Sequence, residues 1–481
     1  MPADRNAGRG RQGTGARPVR PPRSVVPGSV VSGKLATPSH HAPPIAGLAA
    51  REAAVRALIN VLDHSRSLDD AFEEHNAAGA TLLDPRDRGL ARLITLTTLR
   101  RLGEIEAILA EFLERPIDQR KTSVKAILFT GVAQLAFIGI PPHAAIDLAV
   151  RQTRAQPEGE RWTKLVNAVL RKVAAKGPAT LPADEAGARN APPWLFQRWQ
   201  SAYGKPTARA IAAAHLDEPP LDVSATRDAA LWATRLGGEL LPTGSIRLRD
   251  AGRIDQLTGF DEGQWFVQDA AAALPAKLFG PVAGFDVADL CAAPGGKTAE
   301  LAAAGAQVVA VESSFERARR IAENLERLKL TAEIVVADLF EWQPGRRFPF
   351  VLLDAPCSAT GTIRRHPDLA RTKRPEDIAA LAKIQARMLA HAASLVAPGG
   401  RLIFCTCSLE PEEGEAQVAP FLALAPEFQL DPIAVDELPV DPRAITASGL
   451  LRSLPFHSPN PGVECGGMDG FFAARFRRNE T

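Results

Sequence analysis

The stretch FDVADLCAAPGGKTAELAAAGAQVVAVE, residues 285–312, decides the fold. Its apolar run over 285–290 predicts a β-strand, which is followed by a turn with paired glycines. A helix is expected behind that turn, and the apolar run over 307–312 predicts a second strand. A strand, a helix and a second strand in this order are the repeating unit of a parallel sheet covered by helices.

The same alternation continues toward the C-terminus. Further strands are predicted over 333–338, 350–354 and 401–404, with helical segments between them. This pattern is typical of a doubly wound, Rossmann-like α/β domain, which we assign to residues 261–481. Because ligands bind such sheets beyond the carboxyl ends of the strands, the residues at those ends are the candidates for chemistry.

A cofactor loop is predicted after the first strand. It lacks the Gly-x-Gly-x-x-Gly pattern of dinucleotide sites, but its small residues let the backbone approach a ligand, with a helix N-terminus behind it. Glu312 at the end of the second strand can accept the hydroxyls of a ribose, and Asp338 after the third can bind an adenine amino group. S-adenosylmethionine carries no phosphate and fits this set better than a dinucleotide. The predicted loop residues are Cys291, Ala292, Ala293, Pro294, Gly295, Gly296 and Lys297.

Two cysteines lie at the ends of the last two strands, in Asp354-Ala355-Pro356-Cys357 and Thr406-Cys407-Ser408. Adenine amino-methyltransferases carry an aromatic residue where this chain has Cys357, so methylation of an amino group is disfavoured. Carbon 5 of cytosine is a poor nucleophile, and a thiolate must first add to carbon 6 before carbon 5 can take a methyl group. Asp354 can hydrogen-bond the base, which must be swung out of folded RNA. The chemistry leaves open which cysteine attacks.

The N-terminal half is organised differently. Residues 1–45 form a basic tail rich in Pro and Gly, which cannot bury enough apolar surface to order itself. Residues 46–178 show helical periodicity throughout, with Asp84 as a predicted helix cap. Residues 190–260 are expected to form a small α/β module that contacts RNA. A basic run, Arg364, Arg365 and His366, is predicted to hold RNA phosphate.

Composition limits the classes of protein that remain. The chain has 481 residues, which suggests about three domains, and its net charge of +2 gives no argument for a nucleic-acid partner. No apolar stretch is long enough to span a membrane, and no secretion signal is evident, so a cytoplasmic monomer is expected. Five cysteines with one close pair, Cys405 and Cys407, argue against both a disulfide framework and a zinc site, so no metal is predicted.

Five phrases of the helical segment resemble the family of the antitermination factor NusB, in the same order. That resemblance implies that the helical segment docks RNA. The phrases are Asp87-Arg88-Gly89-Leu90, Thr98-Leu99-Arg100, Ala133-Gln134-Leu135, Pro142-His143-Ala144-Ala145 and Val166-Asn167-Ala168-Val169-Leu170-Arg171.

The C-terminal segment resembles the RNA cytosine-5 methyltransferases, and the whole of residues 47–478 resembles their bacterial RsmB/Sun type. The motifs run from Gln268-Asp269 through the cofactor loop and both cysteines to Asp469-Gly470-Phe471-Phe472. The resemblance implies that Cys407 is the nucleophile, that Cys357 assists product release, and that the substrate is a cytosine of small-subunit (16S) rRNA. DNA is not expected as a substrate.

This chain departs from the family at two positions. Glu312 stands where the family usually has Asp, and Cys405 is an extra cysteine that we expect to be buried. Cys465 is expected to be a loop residue. The alternative hypothesis is an RNA-binding assembly or transcription factor whose methyltransferase domain is inactive. A broken cofactor loop or lost cysteines would indicate that alternative, and both features are intact.

Overall fold

The computed structural model describes residues 45–77, 83–118, 121–177, 181–249, 251–460, 462 and 466–480. The predicted basic tail, apart from residue 45, and Cys465 lie outside the described residues. Among those residues no helix is long and apolar enough to cross a membrane. The predicted fold class is confirmed: a helical region is followed by a small antiparallel sheet and then by a Rossmann-like α/β domain.

Among the described residues, the helical region has seven α-helices, which pack around a main apolar core and a smaller apolar cluster. The predicted cap at Asp84 is present, because its side chain accepts a hydrogen bond from the Asp87 amide at 2.7 Å. Leu58, Ile105 and Ile127 are fully buried in the core. The helices are α1 (Leu48–His64), α2 (Leu68–Ala77), α3 (Pro85–Arg100), α4 (Leu102–Phe112), α5 (Thr122–Ala133), α6 (Pro142–Arg154) and α7 (Gly159–Lys176), and a π-helical turn, Gln134–Ile138, follows α5.

Three helices and a small sheet connect the helical region to the α/β domain. The sheet is antiparallel with the strand order β2-β3-β1-β4. Its last strand lies beyond residue 260, where we placed the end of the small module. The elements are α8 (Ala183–Asn190), α9 (Pro193–Tyr203), α10 (Lys205–Ala214), β1 (Leu221–Ala225), α11 (Ala229–Leu236), β2 (Glu239–Leu240), β3 (Ile246–Leu248) and β4 (Trp265–Val267).

The large sheet has the strand order β10-β12-β9-β8-β5-β6-β7, with β11 paired to β12. Strands β5 to β9 are parallel, as predicted, and β10 to β12 pair in antiparallel fashion, which the sequence analysis did not predict. The strands are β5 (Asp286–Leu290), β6 (Gln307–Glu312), β7 (Glu333–Val336), β8 (Phe348–Asp354), β9 (Val396–Thr406), β10 (Phe428–Leu430), β11 (Leu451–Ser453) and β12 (Phe471–Arg478). The remaining helices are α12 (Leu274–Lys277), α13 (Gly296–Ala303), α14 (Phe315–Leu328), α15 (Leu369–Thr372), α16 (Pro375–Ser394) and α17 (Glu415–Leu424).

The segment 364–371 joins the helical region to the α/β domain through hydrogen bonds. Asp368 accepts a bond from the amide of Leu68, the first residue of α2, at 3.1 Å. Arg100 donates to the carbonyl of Arg364 at 3.0 Å. The helical region is thus hydrogen-bonded to the segment that follows the Cys357 loop along the chain.

Candidate active site

The predicted cofactor loop lies between β5 and α13, at the carboxyl end of the central strand. Gly295 has a φ of 99°, and a Cβ on it would lie 3.2 Å from Ile321, so both its conformation and the space beside it favour glycine. Behind the loop, Asp289 is completely buried and accepts a hydrogen bond from the Thr298 hydroxyl at 2.6 Å. Burial raises the pKa of Asp289 to about 7. Because its hydrogen bond reaches the first turn of α13, this carboxyl supports the cofactor loop.

Glu312 lies at the end of β6, beside the cofactor loop, as the sequence predicts. Its side chain is 1% exposed and accepts hydrogen bonds from the amides of Ser314 at 3.0 Å and Ala293 at 3.4 Å. The carboxylate thus links the end of β6 to the cofactor loop. A bound ribose would hydrogen-bond the same carboxylate alongside these two amides. Asp338 is exposed, two residues beyond β7, and accepts a bond from the Phe340 amide at 2.9 Å.

Lys297 and Asp354 form an ion pair between the cofactor loop and the cysteine loops. The Lys297 ammonium lies 2.8 Å from an Asp354 oxygen and 4.8 Å from the centre of the Phe471 ring. Burial, the largest single influence, would lower the pKa of Lys297, but Asp354, Cys405 and Asp289 together outweigh it and raise that pKa. The lysine therefore stays charged, and Asp354, with 30% of its side chain exposed, remains open to a ligand.

The two candidate cysteines face each other. The sulfur atoms of Cys357 and Cys407 lie 3.4 Å apart, and both residues are partly exposed. The amide of Gly361 donates to the carbonyl of Cys407 at 2.9 Å, which fastens one cysteine loop to the other. The hydrogen bond to Cys407, together with burial, raises the pKa of Cys357. Cys357 is therefore a neutral thiol beside Cys407.

The other two described cysteines are held as thiols. Cys405 is completely buried in β9, and burial followed by the nearby Asp354 carboxylate raises its pKa. Burial raises the pKa of Cys291 to about 12. Because the thiolate is the nucleophilic form, neither residue is suited to attack a base.

The sequence analysis missed a buried acid, Glu413, that contacts both cysteine loops. Its carboxylate accepts hydrogen bonds from the Ser358 amide at 3.0 Å and from the Ser408 hydroxyl at 2.6 Å. In the sequence it follows Glu410, Pro411 and Glu412 and looks like one more acid of a solvated turn. Only the fold distinguishes it, since Glu413 is 0% exposed whereas 48% of the Glu412 side chain is exposed.

The structure corrects the assignment of Arg364 and Arg365 to RNA phosphate. Arg364 is 3% exposed and donates to Asp269 and Asp469, each at 2.6 Å, so its charge is neutralised inside the protein. Arg365 pairs with the same two carboxylates and is 21% exposed. Of the three residues, only His366 is partly exposed without an ion pair among the described residues. The two arginines therefore hold the Gln268-Asp269 and Asp469-Gly470 motifs together.

The described residues contain no cluster of three or more His, Cys, Asp or Glu side chains that could hold a metal ion. The site thus consists of the cofactor loop, the Lys297–Asp354 pair and two facing thiols. A loop of small residues beside a carboxylate suits a nucleoside, and a paired lysine and aspartate beside a thiol suit a pyrimidine ring.

Comparisons with known proteins match both halves of the chain. Residues 276–477 match the family model described as 16S rRNA methyltransferase RsmB/F, and residues 48–175 match the NusB family. The ribosomal RNA small subunit methyltransferase B of Sodalis glossinidius is 37% identical over 402 residues, covering 79% of this chain and 90% of that protein. The protein of the same name from Vibrio cholerae is 35% identical over 398 residues, with the same two coverages. The solved structure of PH0851 covers 90% of this chain and 99% of its own, with a TM-score of 0.69 and 23% identity, and supports the fold.

Proposed function

The chain belongs to the RsmB/F family of 16S rRNA methyltransferases, as its motifs predicted, and from this premise we propose a reaction and a role for each site residue. The protein transfers a methyl group from S-adenosylmethionine to carbon 5 of a cytosine in 16S rRNA. The observation that carries this proposal is the 3.4 Å approach of two cysteine sulfurs beside the Lys297–Asp354 pair.

Cys407 is the nucleophile of the proposed reaction. Its thiolate adds to carbon 6 of the cytosine, and the ring becomes an enamine whose carbon 5 is nucleophilic. Asp354 hydrogen-bonds the ring and stabilises its protonated form, and Lys297 holds Asp354 in place at 2.8 Å. When bound, S-adenosylmethionine supplies the methyl group that carbon 5 attacks.

Cys357 acts at the end of the reaction. After methyl transfer a base takes the proton from carbon 5. The electrons of that C–H bond re-form the double bond between carbons 5 and 6 as Cys407 leaves carbon 6 as a thiolate, and the ring becomes aromatic again. Cys357 is placed 3.4 Å from Cys407 and therefore lies beside the bond that breaks. The position and the raised pKa of Cys357 suit a group that assists release and does not attack first.

The cofactor is held by the loop 291–297 together with Glu312 and Asp338. The residues fit S-adenosylmethionine because Glu312 provides a carboxylate beside the loop for the ribose. The glycines, which have no side chain, leave room for the ligand next to the backbone. Asp338, exposed beyond β7, is assigned to the adenine amino group.

The helical region is assigned to RNA docking, and His366 remains the candidate phosphate contact of its segment. Exposed arginines on α3 and α7, among them Arg88 and Arg171, supply positive charge. Four further expectations stay predictions from the sequence: a cytoplasmic location, a monomeric state, no metal requirement and no DNA substrate.

Methylation mapping tests the proposed function. Bisulfite sequencing of 16S rRNA from cells with and without the gene should reveal one cytosine that is protected only when the gene is present. The purified protein with S-adenosylmethionine should restore that protection on RNA from the deletion strain, and a Cys407→Ala variant should not. Identical maps in the two strains would contradict the proposal.

A further inference from the structure

Glu413 lies between the two cysteine loops and is completely buried. One of its carboxylate oxygens accepts from the Ser358 amide at 3.0 Å and from the Gln385 side-chain amide at 3.0 Å. The other accepts from the hydroxyl of Ser358 and from that of Ser408 at 2.6 Å. A carboxylate only accepts hydrogen bonds, and every partner here is a donor, so the set is chemically complete.

The residues that Glu413 binds are the direct neighbours of the two cysteines. Ser358 follows Cys357, and Ser408 follows Cys407. A second link runs in parallel, because the Leu409 amide donates to the Thr360 hydroxyl at 2.9 Å. The carboxylate therefore joins the loop after β8 to the loop after β9 at the level of the sulfur atoms.

Helix α16 extends these links to Pro356 of the Cys357 loop. The Gln385 side-chain amide donates to the carbonyl of Pro356 at 2.9 Å as well as to Glu413. The Thr406 hydroxyl donates to the main-chain carbonyl of Glu413 at 3.0 Å. Each cysteine thus has neighbours on both sides that are bound, directly or through Gln385, to this one residue.

We propose that Glu413 is a positioning residue, whose buried carboxylate holds the Cys357 and Cys407 sulfurs at the separation that the reaction requires. This inference rests on the proposed function for its consequence in catalysis. Both carboxylate oxygens of Glu413 are taken up by donors from Ser358, Gln385 and Ser408, so we assign its effect to the geometry of the two loops. A misplacement of about 1 Å in a reacting group costs on the order of a hundredfold in rate.

The test uses Glu413→Ala in the full chain, with Glu412→Ala as the matched control. Glu412 precedes Glu413 on the same turn, but its carboxylate is half exposed and pairs with Arg198 on α9. The first readout is the rate of disulfide formation between Cys357 and Cys407 with diamide, which takes up the two electrons and two protons that the thiols lose. Mass spectrometry of the linked peptide follows the reaction, and neither RNA nor cofactor is needed.

We expect the rate of crosslinking to fall at least tenfold in Glu413→Ala and to stay within twofold of wild type in Glu412→Ala. The charge of Glu413 contributes to the raised pKa of Cys357, after the hydrogen bond to Cys407, burial and the charge of Cys407. Removing that charge would by itself produce more thiolate and faster crosslinking. A slower reaction therefore reports displacement of the loops, because the two effects have opposite signs.

The second readout is steady-state kinetics. The kcat for methylation of 16S rRNA should fall at least tenfold in Glu413→Ala, while the KM for RNA and the affinity for S-adenosylmethionine stay within twofold of wild type. A wild-type rate of crosslinking in folded Glu413→Ala would overturn the proposal. If that variant does not fold, Ser408→Ala removes one of the hydrogen bonds to Glu413. Crosslinking in Ser408→Ala must then be slower than in wild type, or the proposal fails. If the wild-type protein methylates no RNA but Glu413→Ala still crosslinks more slowly, the proposed function is contradicted and the positioning role of Glu413 is not.

Discussion

Replacing Arg364 with methionine tests whether the basic run 364–366 supports the fold or binds RNA. The guanidinium donates from Nε to Asp469 and from Nη2 to Asp269, each at 2.6 Å, and it is 3% exposed. Methionine keeps much of the length and apolar volume of the side chain but removes the charge and both hydrogen bonds. Two buried carboxylates are then left with one cation, Arg365.

The expected cost follows from that geometry. Removing one partner of a buried ion pair costs about 3–5 kcal/mol, because the remaining charge is buried without compensation. We expect the lower end, about 3 kcal/mol, since Arg365 still pairs with both carboxylates and the amides of Ala271 and Asp469 still donate to Asp269. The exposed pair Arg92–Asp69 provides the control, and Arg92→Met should cost less than about 1 kcal/mol.

Urea denaturation followed by tryptophan fluorescence measures the loss of stability. RNA binding at several salt concentrations tests whether Arg364 contacts RNA. The loss of one phosphate contact lowers the slope of log binding constant against log salt concentration by about one. We expect Arg364→Met to unfold at lower urea and to bind RNA with unchanged affinity and slope where it is folded. Wild-type stability combined with a reduced slope would refute the structural role and restore RNA contact for Arg364.

Three further predictions follow from the site and the helical region. The double variant Arg88→Glu, Arg171→Glu should weaken RNA binding and reduce its salt slope while leaving the Kd for S-adenosylmethionine unchanged, since both residues are exposed on the helical region; equal RNA affinity would count against docking there. Glu312→Ala should weaken S-adenosylmethionine binding at least tenfold by calorimetry, because hydrogen bonds to a charged group contribute about 1.5–3 kcal/mol; unchanged affinity would reject the ribose assignment. The folded-state pKa of Asp289 is raised to about 7, so its protonated form stabilises the fold at low pH, and this stabilisation is lost as pH rises from about 4 to 7. In urea titrations, Asp289→Asn should therefore gain stability relative to wild type as pH rises through that window. A difference in stability that stays constant from about pH 4 to 7 would disprove the raised pKa of Asp289.

The sequence predicted the parts of the fold that depend on local periodicity. Strands β5 to β9 are apolar runs that end at, or within two residues of, an acid or a cysteine, and parallel strands bring those ends to one edge of the sheet. Glu312, Asp354 and Cys407 lie where that rule places them. Strand β12 was missed because its sequence, FFAARFRR, mixes phenylalanines with arginines. Its Arg475 is 6% exposed and pairs with Asp431 at 3.0 Å, so the charge is compensated by a residue that the pattern does not reveal.

Two features of the site depend on contacts between distant parts of the chain. Arg364 lies 95 residues from Asp269 and 105 from Asp469, and no spacing rule predicts that the three meet in the interior. Glu413 looks like a surface acid until the chain around it is folded. Charged residues are ordinarily exposed unless paired, so a single sequence favours the surface for both, and only tertiary structure shows their partners.

The most direct test of the central claim is a denaturing gel that detects covalent complexes between the protein and 16S rRNA in the presence of S-adenosylmethionine. Because Cys407 forms the bond to carbon 6 in this account, Cys407→Ala should be inactive and give no complex. Cys357→Ala should form the complex but release it slowly, so that the complex accumulates. A trapped complex with Cys407→Ala, and none with Cys357→Ala, would contradict the assignment of Cys407 as the nucleophile.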